Sequence, residues 1–251
     1  MSGHSKWSQI KRQKGVSDQR RGQLFTKLIR EIAIAVHEGG GDPTQNAHLR
    51  LVIQKARENN MPLENIERTI KRASGSSEGA SLLEATVEGY GPGGVAVLVR
   101  VLTDNRNRAL QEVRRVFYRG GGSMGEAGCV AWMFEPKGMV IIDKGGIDAE
   151  EIALLAIDAG AEDVSIEKDY VEVRTAPQQL EKVYQLLQQK ELPITSSDIS
   201  MLPKMTVNLD EKKAIEAVKL IDRLDELDDV QRVFSNIDFS EEVAERLKAQ
   251  A

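Results

Sequence analysis

Near residue 80 the spacing of apolar side chains changes from one in every three to four residues to one in every two. No single layer of secondary structure satisfies both periods, so the chain must combine a helical region with a sheet-containing one. Before the change, Phe25, Leu28, Ile32 and Val36 share one face of a helix over Leu24–Glu38, and Gly39-Gly40-Gly41 ends it. Asp42-Pro43 reads as an N-cap followed by a first helical position, leading into Ala47–Asn59 with Leu49, Val52, Ile53 and Ala56 inward. A third helix starts at Pro62, runs through Ile66 and Ile70, and stops near Ser74-Gly75. Ser76-Ser77-Glu78-Gly79 is linker-like.

Beyond the linker, Ala85–Gly89 and Val95–Thr103 read as two strands around Tyr90-Gly91-Pro92-Gly93-Gly94, followed by a helix over Arg106–Tyr118 and a strand at Cys129–Phe134. Met139–Ile142, Ala149–Ala159, Asp163–Glu167, Tyr170–Arg174, Pro177–Gln189 and Ile194–Met201 then spell βαββαβ, the ferredoxin-like order. Thr206–Leu209, Glu211–Leu227 and Val230–Ile237 follow as βαβ and are expected to complete the sheet begun at residue 85. The expected class is α+β. An all-helical domain with a basic arm spans 1–79, an α/β domain is built from 80–135 plus 204–239, a ferredoxin-like domain at 136–203 is inserted in it, and 240–251 is a polar tail or short polar helix.

Charge is segregated along the same division. The 251 residues carry 34 Lys+Arg and 39 Asp+Glu, for a net −5. Up to Gly75 there are 14 basic and 7 acidic residues, a balance of +7, which leaves 20 against 32, or −12, for the rest. Residues 1–30 hold eight basic residues and one acidic, Asp18. At physiological salt the Debye length is about 8 Å, so distant acidic domains do not cancel a basic arm locally. The arm therefore suits a polyanion despite the net charge. His4–Gly22 has few apolar residues and reads as a mobile or weakly helical arm. Six of its cations on six phosphates would give a salt slope of about −5 on duplex DNA. Trp7 either packs on the helical domain or stacks on a base.

A second cationic cluster is Arg106, Arg108, Arg114, Arg115 and Arg119, opposed only by Glu112, on a helix whose Leu110, Val113 and Phe117 face inward. It is either a solvated face or an anion-binding surface. The candidate nucleic-acid contacts are Lys6, Trp7, Lys11, Arg12, Lys14, Arg20, Arg21, Lys27, Arg30, Arg106 and Arg108. Phosphate contacts carry no base information, and no helix-turn-helix spacing is evident.

Other chemistries find little support. Gly89–Gly94 satisfies G-x-G-x-x-G, but a β-branched run, Val95–Val99, follows where a dinucleotide site needs a helix, so a hairpin loop is expected. Gly120–Gly128 has five glycines and no Lys-Ser/Thr pair; it reads as a flexible helix-to-strand connection, with a nucleic-acid contact loop as the other possibility. Cys129 is expected as a buried structural thiol, and His4, His37 and His48 have no metal-ligand spacing. No catalytic residue, metal site or cofactor is expected, and the chain reads as non-enzymatic. With one cysteine, no signal-like N-terminus and no apolar run of membrane length, a cytoplasmic location away from membranes is expected.

Specific motifs extend this reading. Gly3-His4-Ser5-Lys6-Trp7, Phe25–Ile32, Gly39–Pro43, Asn60-Met61-Pro62, Glu88–Gly94, Leu102–Arg108 and Val130–Phe134 resemble the YebC/PmpR family, and the match spans essentially the whole chain. Gly122-Ser123-Met124-Gly125 and Cys129 depart from the family's usual pattern. The resemblance implies three domains and a bacterial transcriptional regulator that binds promoter DNA. A related eukaryotic branch, the translational activator of mitochondrial cytochrome oxidase, acts in organelle translation, and bacterial relatives are linked to ribosomes stalled on proline-rich stretches, which implies the alternative: a ribosome-associated translation factor that binds rRNA or tRNA and relieves such stalling. A small-molecule sensor, by analogy with other ferredoxin-like domains, is a third class.

Overall fold

A computed structural model describes residues 18–75 and 83–250, with the side chains of 18–21, 241 and 248–250 excepted. Helix α1, Asp18–Gly39, buries Leu28, Ile32, Ala35 and Val36, the i, i+4, i+7, i+8 stripe of an amphipathic helix. It ends where Gly40 adopts φ 84°, a left-handed conformation that costs glycine nothing, and donates its N–H to the Val36 carbonyl at 2.8 Å. Helix α2, Ala47–Glu58, is capped by Asn46, not by Asp42. The buried Asn46 side chain accepts from Leu49 N (2.9 Å) and donates to the Ala35 and Gly40 carbonyls (2.6 and 2.9 Å), so one amide closes both helix ends. Asp42 instead accepts from the Thr44 N–H and hydroxyl within a turn. Helix α3 is Leu63–Gly75.

Strands β1, Leu83–Tyr90, and β2, Ala96–Thr103, form an antiparallel hairpin in the register Val87↔Val99. Its turn, Pro92–Gly94, closes the G-x-G-x-x-G segment Gly89–Gly94, and β2 follows it. Helix α4, Arg106–Arg119, leads to β3, Ser123–Met124, which pairs back onto β1. The sheet is completed by β9, Val230–Ser235, antiparallel to β2, in the order β3-β1-β2-β9. Alternate residues Val97, Val99 and Val101 of β2 form a core with Ala109, Val113 and Phe117 of α4 and with Ala217, Ile221 and Leu224 of helix α7, Glu211–Asp225. Strands β8, Val207–Asn208, and β10, Ile237–Asp238, form a two-stranded parallel pair.

Residues 240–251 were expected as a short polar helix or tail. They contain helix α8, Glu241–Gln250, whose Val243, Ala244 and Leu247 are buried in that same core. Apolar residues at i, i+1 and i+4, little more than one turn, are enough to dock it.

Strand β4, Phe134–Asp143, helix α5, Ala149–Ala159, β5, Asp163–Ile166, β6, Tyr170–Thr175, helix α6, Leu180–Gln189, and β7, Ile194–Pro203, make the second four-stranded sheet, ordered β5-β6-β4-β7. With β6 antiparallel to both β4 and β5, this is the ferredoxin-like arrangement. Val140, Ile142, Val171 and Val173 pack there against Ile152, Ala156, Leu180, Val183 and Leu187. Helices and antiparallel sheets together give the α+β class.

Among the described residues, 18–30, 83–135 and 202–250 form one compact unit, and 31–75 with 136–201 another. Within the second, Leu51 of α2 packs on the ferredoxin-like core and the Arg50 Nε donates to Glu181 at 2.5 Å.

Candidate nucleic-acid interface

The chain from 125 to 134 corrects one expectation. Cys129–Phe134 is not a strand: Ala131–Met133 is a 3-10 turn and β4 begins at Phe134. The cause is Glu88 on β1, only 6% exposed, whose carboxylate accepts from the N–H groups of Gly128, Val130 and Ala131, each at 2.7 Å. Three donors converging on one carboxylate demand a curled backbone, which no extended ladder supplies. Burial is the largest single influence on Glu88 and raises its pKa, but the three donors together outweigh it and hold the carboxyl below its ordinary value.

Gly125 N also donates to the Glu88 carbonyl (2.8 Å), and the Tyr90 hydroxyl to the Cys129 carbonyl (3.1 Å). The glycine-rich segment is thus pinned at many points rather than a loose connection. Gly122 shows why glycine is needed: a Cβ there would lie 2.6 Å from the Tyr90 carbonyl oxygen. Gly122→Ala is expected to destabilise the protein by about 1–3 kcal/mol, because backbone must move to admit the methyl. A thermal unfolding midpoint equal to wild type would contradict this. Cys129 is half-buried in this turn rather than inside a strand; burial first, then the nearby Glu88 carboxylate, push its thiol pKa up, away from reactive thiolate.

The cations sort into engaged and unengaged. Lys6, Trp7, Lys11, Arg12 and Lys14 lie outside the described residues, and Arg20 and Arg21 lie on α1 with their side chains undescribed. Lys27 donates to the Asp225 carbonyl (2.5 Å) and pairs with its carboxylate (3.3 Å). Arg30 donates to the Asp228 carbonyl and, at 3.4 Å, to that of Leu102, and lies 3.3 Å from the Asp229 carboxylate. Arg108 bridges Asp104 (2.8 Å) and Asp229 (2.9 Å). Asp229 is buried and also accepts from the Thr103 hydroxyl at 3.0 Å. Lys27, Arg30 and Arg108, named from the sequence as candidate nucleic-acid contacts, are thus engaged by carboxylates and carbonyls of the chain itself. The pairing of Arg108 was not legible in the sequence because its partner Asp229 lies 121 residues away.

Arg106, Arg114, Arg115 and Arg119 are different. All four are exposed on α4 and form no ion pair among the described residues. Asn105 caps the helix through Arg108 N, and Ala109, Val113 and Phe117 anchor its buried stripe, so the arginines stand on a fixed rod. Glu112 is the only acidic residue on that helix. Next to them Tyr118 is 84% exposed. Sequence reading passed over it, although its position one residue past the Ala109–Val113–Phe117 stripe turns it about 100° from the core. Among the described residues no three His, Cys, Asp or Glu side chains cluster as a metal site, and no helix is long and apolar enough to cross a membrane.

Comparison with known proteins gives these features a family. Residues 5–76 match the model described as the TACO1/YebC protein N-terminal domain, and residues 82–237 the model described as the TACO1/YebC second and third domain. The chain is 54% identical over 251 residues to a probable transcriptional regulatory protein of Dehalococcoides mccartyi, covering 100% of both chains. It is 51% identical to one of Chloroflexus aurantiacus, covering 99% of this chain and 100% of that one. The crystal structure of a conserved hypothetical protein from Aquifex aeolicus is similar with a TM-score of 0.83 at 44% identity, over 90% of this chain and 93% of that one. Matched along almost its whole length by sequence and by fold, the chain belongs to the TACO1/YebC family.

Proposed function

We propose that this protein is a non-enzymatic regulator of transcription that binds promoter DNA in the cytoplasm. The observation that carries this reading is the unpaired arginine set of α4: Arg106, Arg114, Arg115 and Arg119, held on a rigid helix with one acid among them. Cations free of internal partners can exchange counterions for phosphates without first breaking a salt bridge. The basic arm, with Lys6, Lys11, Arg12, Lys14, Arg20 and Arg21, is the second half of the proposed contact. The relatives' name, probable transcriptional regulatory protein, supports the same reading. A division into a helical domain at 1–79, an α/β domain and an inserted ferredoxin-like domain goes with it, supported by the direct pairing of β9 with β2 although the strands of the second sheet lie between them in sequence.

The test compares binding to a promoter duplex, a random duplex and purified ribosomes at matched salt. Promoter preference is expected. Replacing Arg106, Arg114, Arg115 and Arg119 with glutamine is expected to make the duplex salt slope shallower by about 3–4, four phosphates at roughly 0.9 each. Tight ribosome binding with no promoter preference would overturn the transcriptional reading in favour of a translation factor.

A further inference from the structure

Tyr118 is more exposed than any other large apolar side chain among the described residues, at 84%. Isolated surface aromatics are common and need no explanation by themselves. This one is set apart by its surroundings. On a helix, residues three and four apart are surface neighbours, which places Arg115 and Arg114 beside the ring on the N-terminal side, with Gln111 one turn further along the same line. Arg119 follows it directly. The helical neighbours of the phenol on that side are therefore two arginines that form no ion pair among the described residues, rather than apolar side chains.

A flat aromatic face among cations matches a ligand that offers both negative charge and an open π-face. Duplex nucleic acid offers only the charge, because its bases are stacked on one another. A single strand offers both. The geometry points to single-stranded nucleic acid as a ligand of the α4 face, with Tyr118 as the platform on which a base stacks and Arg114, Arg115 and Arg119 as the phosphate contacts. The inference rests on the nucleic-acid reading above and adds the strandedness of the partner and the residue that senses it. The shared chemistry is a phosphodiester chain with unpaired bases, and DNA and RNA are two sources of it.

The experiment measures fluorescence anisotropy of labelled oligothymidylate, oligouridylate and a duplex of equal length with the full-length protein. Tyr118→Ala is expected to weaken binding to at least one of the single strands by roughly fivefold to a hundredfold. Duplex affinity should stay within about twofold, since phosphate contacts dominate there. Tyr118→Phe, which keeps the ring, should bind like wild type. The ring packs on nothing in the core, so an unchanged unfolding midpoint for Tyr118→Ala guards against a folding artefact. Equal losses on single strand and duplex, or no loss on either single strand, overturn the inference. Wild-type binding to duplex alone also overturns it while leaving the nucleic-acid reading standing. Binding to none of the three overturns both.

Discussion

Glu88→Ala is expected to destabilise the protein by about 3–5 kcal/mol, because it strands three N–H donors that the carboxylate now satisfies. Two of those donors would be hard to hydrate: Val130 is fully buried and Ala131 is half-buried. The loss should appear in denaturant unfolding and should be accompanied by loosening of the 125–133 turn, visible as faster amide exchange at Gly128, Val130 and Ala131. Glu88→Gln should fall between, since one oxygen survives as acceptor while the amide nitrogen faces donors it cannot accept from. The folded-state pKa of Glu88 is depressed. Its contribution to stability is therefore complete above the unfolded glutamate pKa and is lost as pH falls through the lower folded value. The stability gap between wild type and Glu88→Gln should accordingly be constant near neutrality and narrow in acid. A gap that widened in acid, or an Ala variant as stable as wild type, would refute this role.

Asp229→Ala is expected to cost about 2–4 kcal/mol, since it removes the common partner of Arg30, Arg108 and the Thr103 hydroxyl from a buried position. The estimate is below that for a wholly buried ion pair because Arg108 is half in water and retains Asp104. Asp229 sits just before β9, Arg108 in the first turn of α4 and Arg30 on α1, so one carboxylate ties three elements of one unit together. Urea unfolding of Asp229→Ala, Arg108→Ala and the double variant forms a cycle. The double variant should be less destabilised than the two single losses added together, because the lone arginine and the lone carboxylate each carry a penalty that the pair does not. Strict additivity would show that the two groups do not interact.

Much of the fold was legible from local spacing. Ala149–Ala159 is helical over the residues expected, its Ile152 and Ala156 falling inward at the spacing of a helix face. The β1–β2 hairpin followed from β-branched alternation on either side of a Gly/Pro turn, which also removed the nominal dinucleotide motif. The misses share a cause. Asn46 displaced Asp42 as a cap because it alone reaches the end of the preceding helix as well. Cys129–Phe134 lost its strand to Glu88, forty residues upstream, and the C-terminal segment gained a core through contacts its own composition does not reveal.

The sequence by itself determined most of the order of helices and strands, because apolar periodicity acts between residues a few positions apart, and it determined the segregation of +7 from −12 along the chain. The tertiary structure decided which of those charges are free. Lys27, Arg30 and Arg108 each find a carboxylate or carbonyl between 72 and 199 residues away, whereas Arg106, Arg114, Arg115 and Arg119 find none among the described residues. Coulomb energy depends on separation in space and on the dielectric around each charge, and neither quantity is a function of position along the chain.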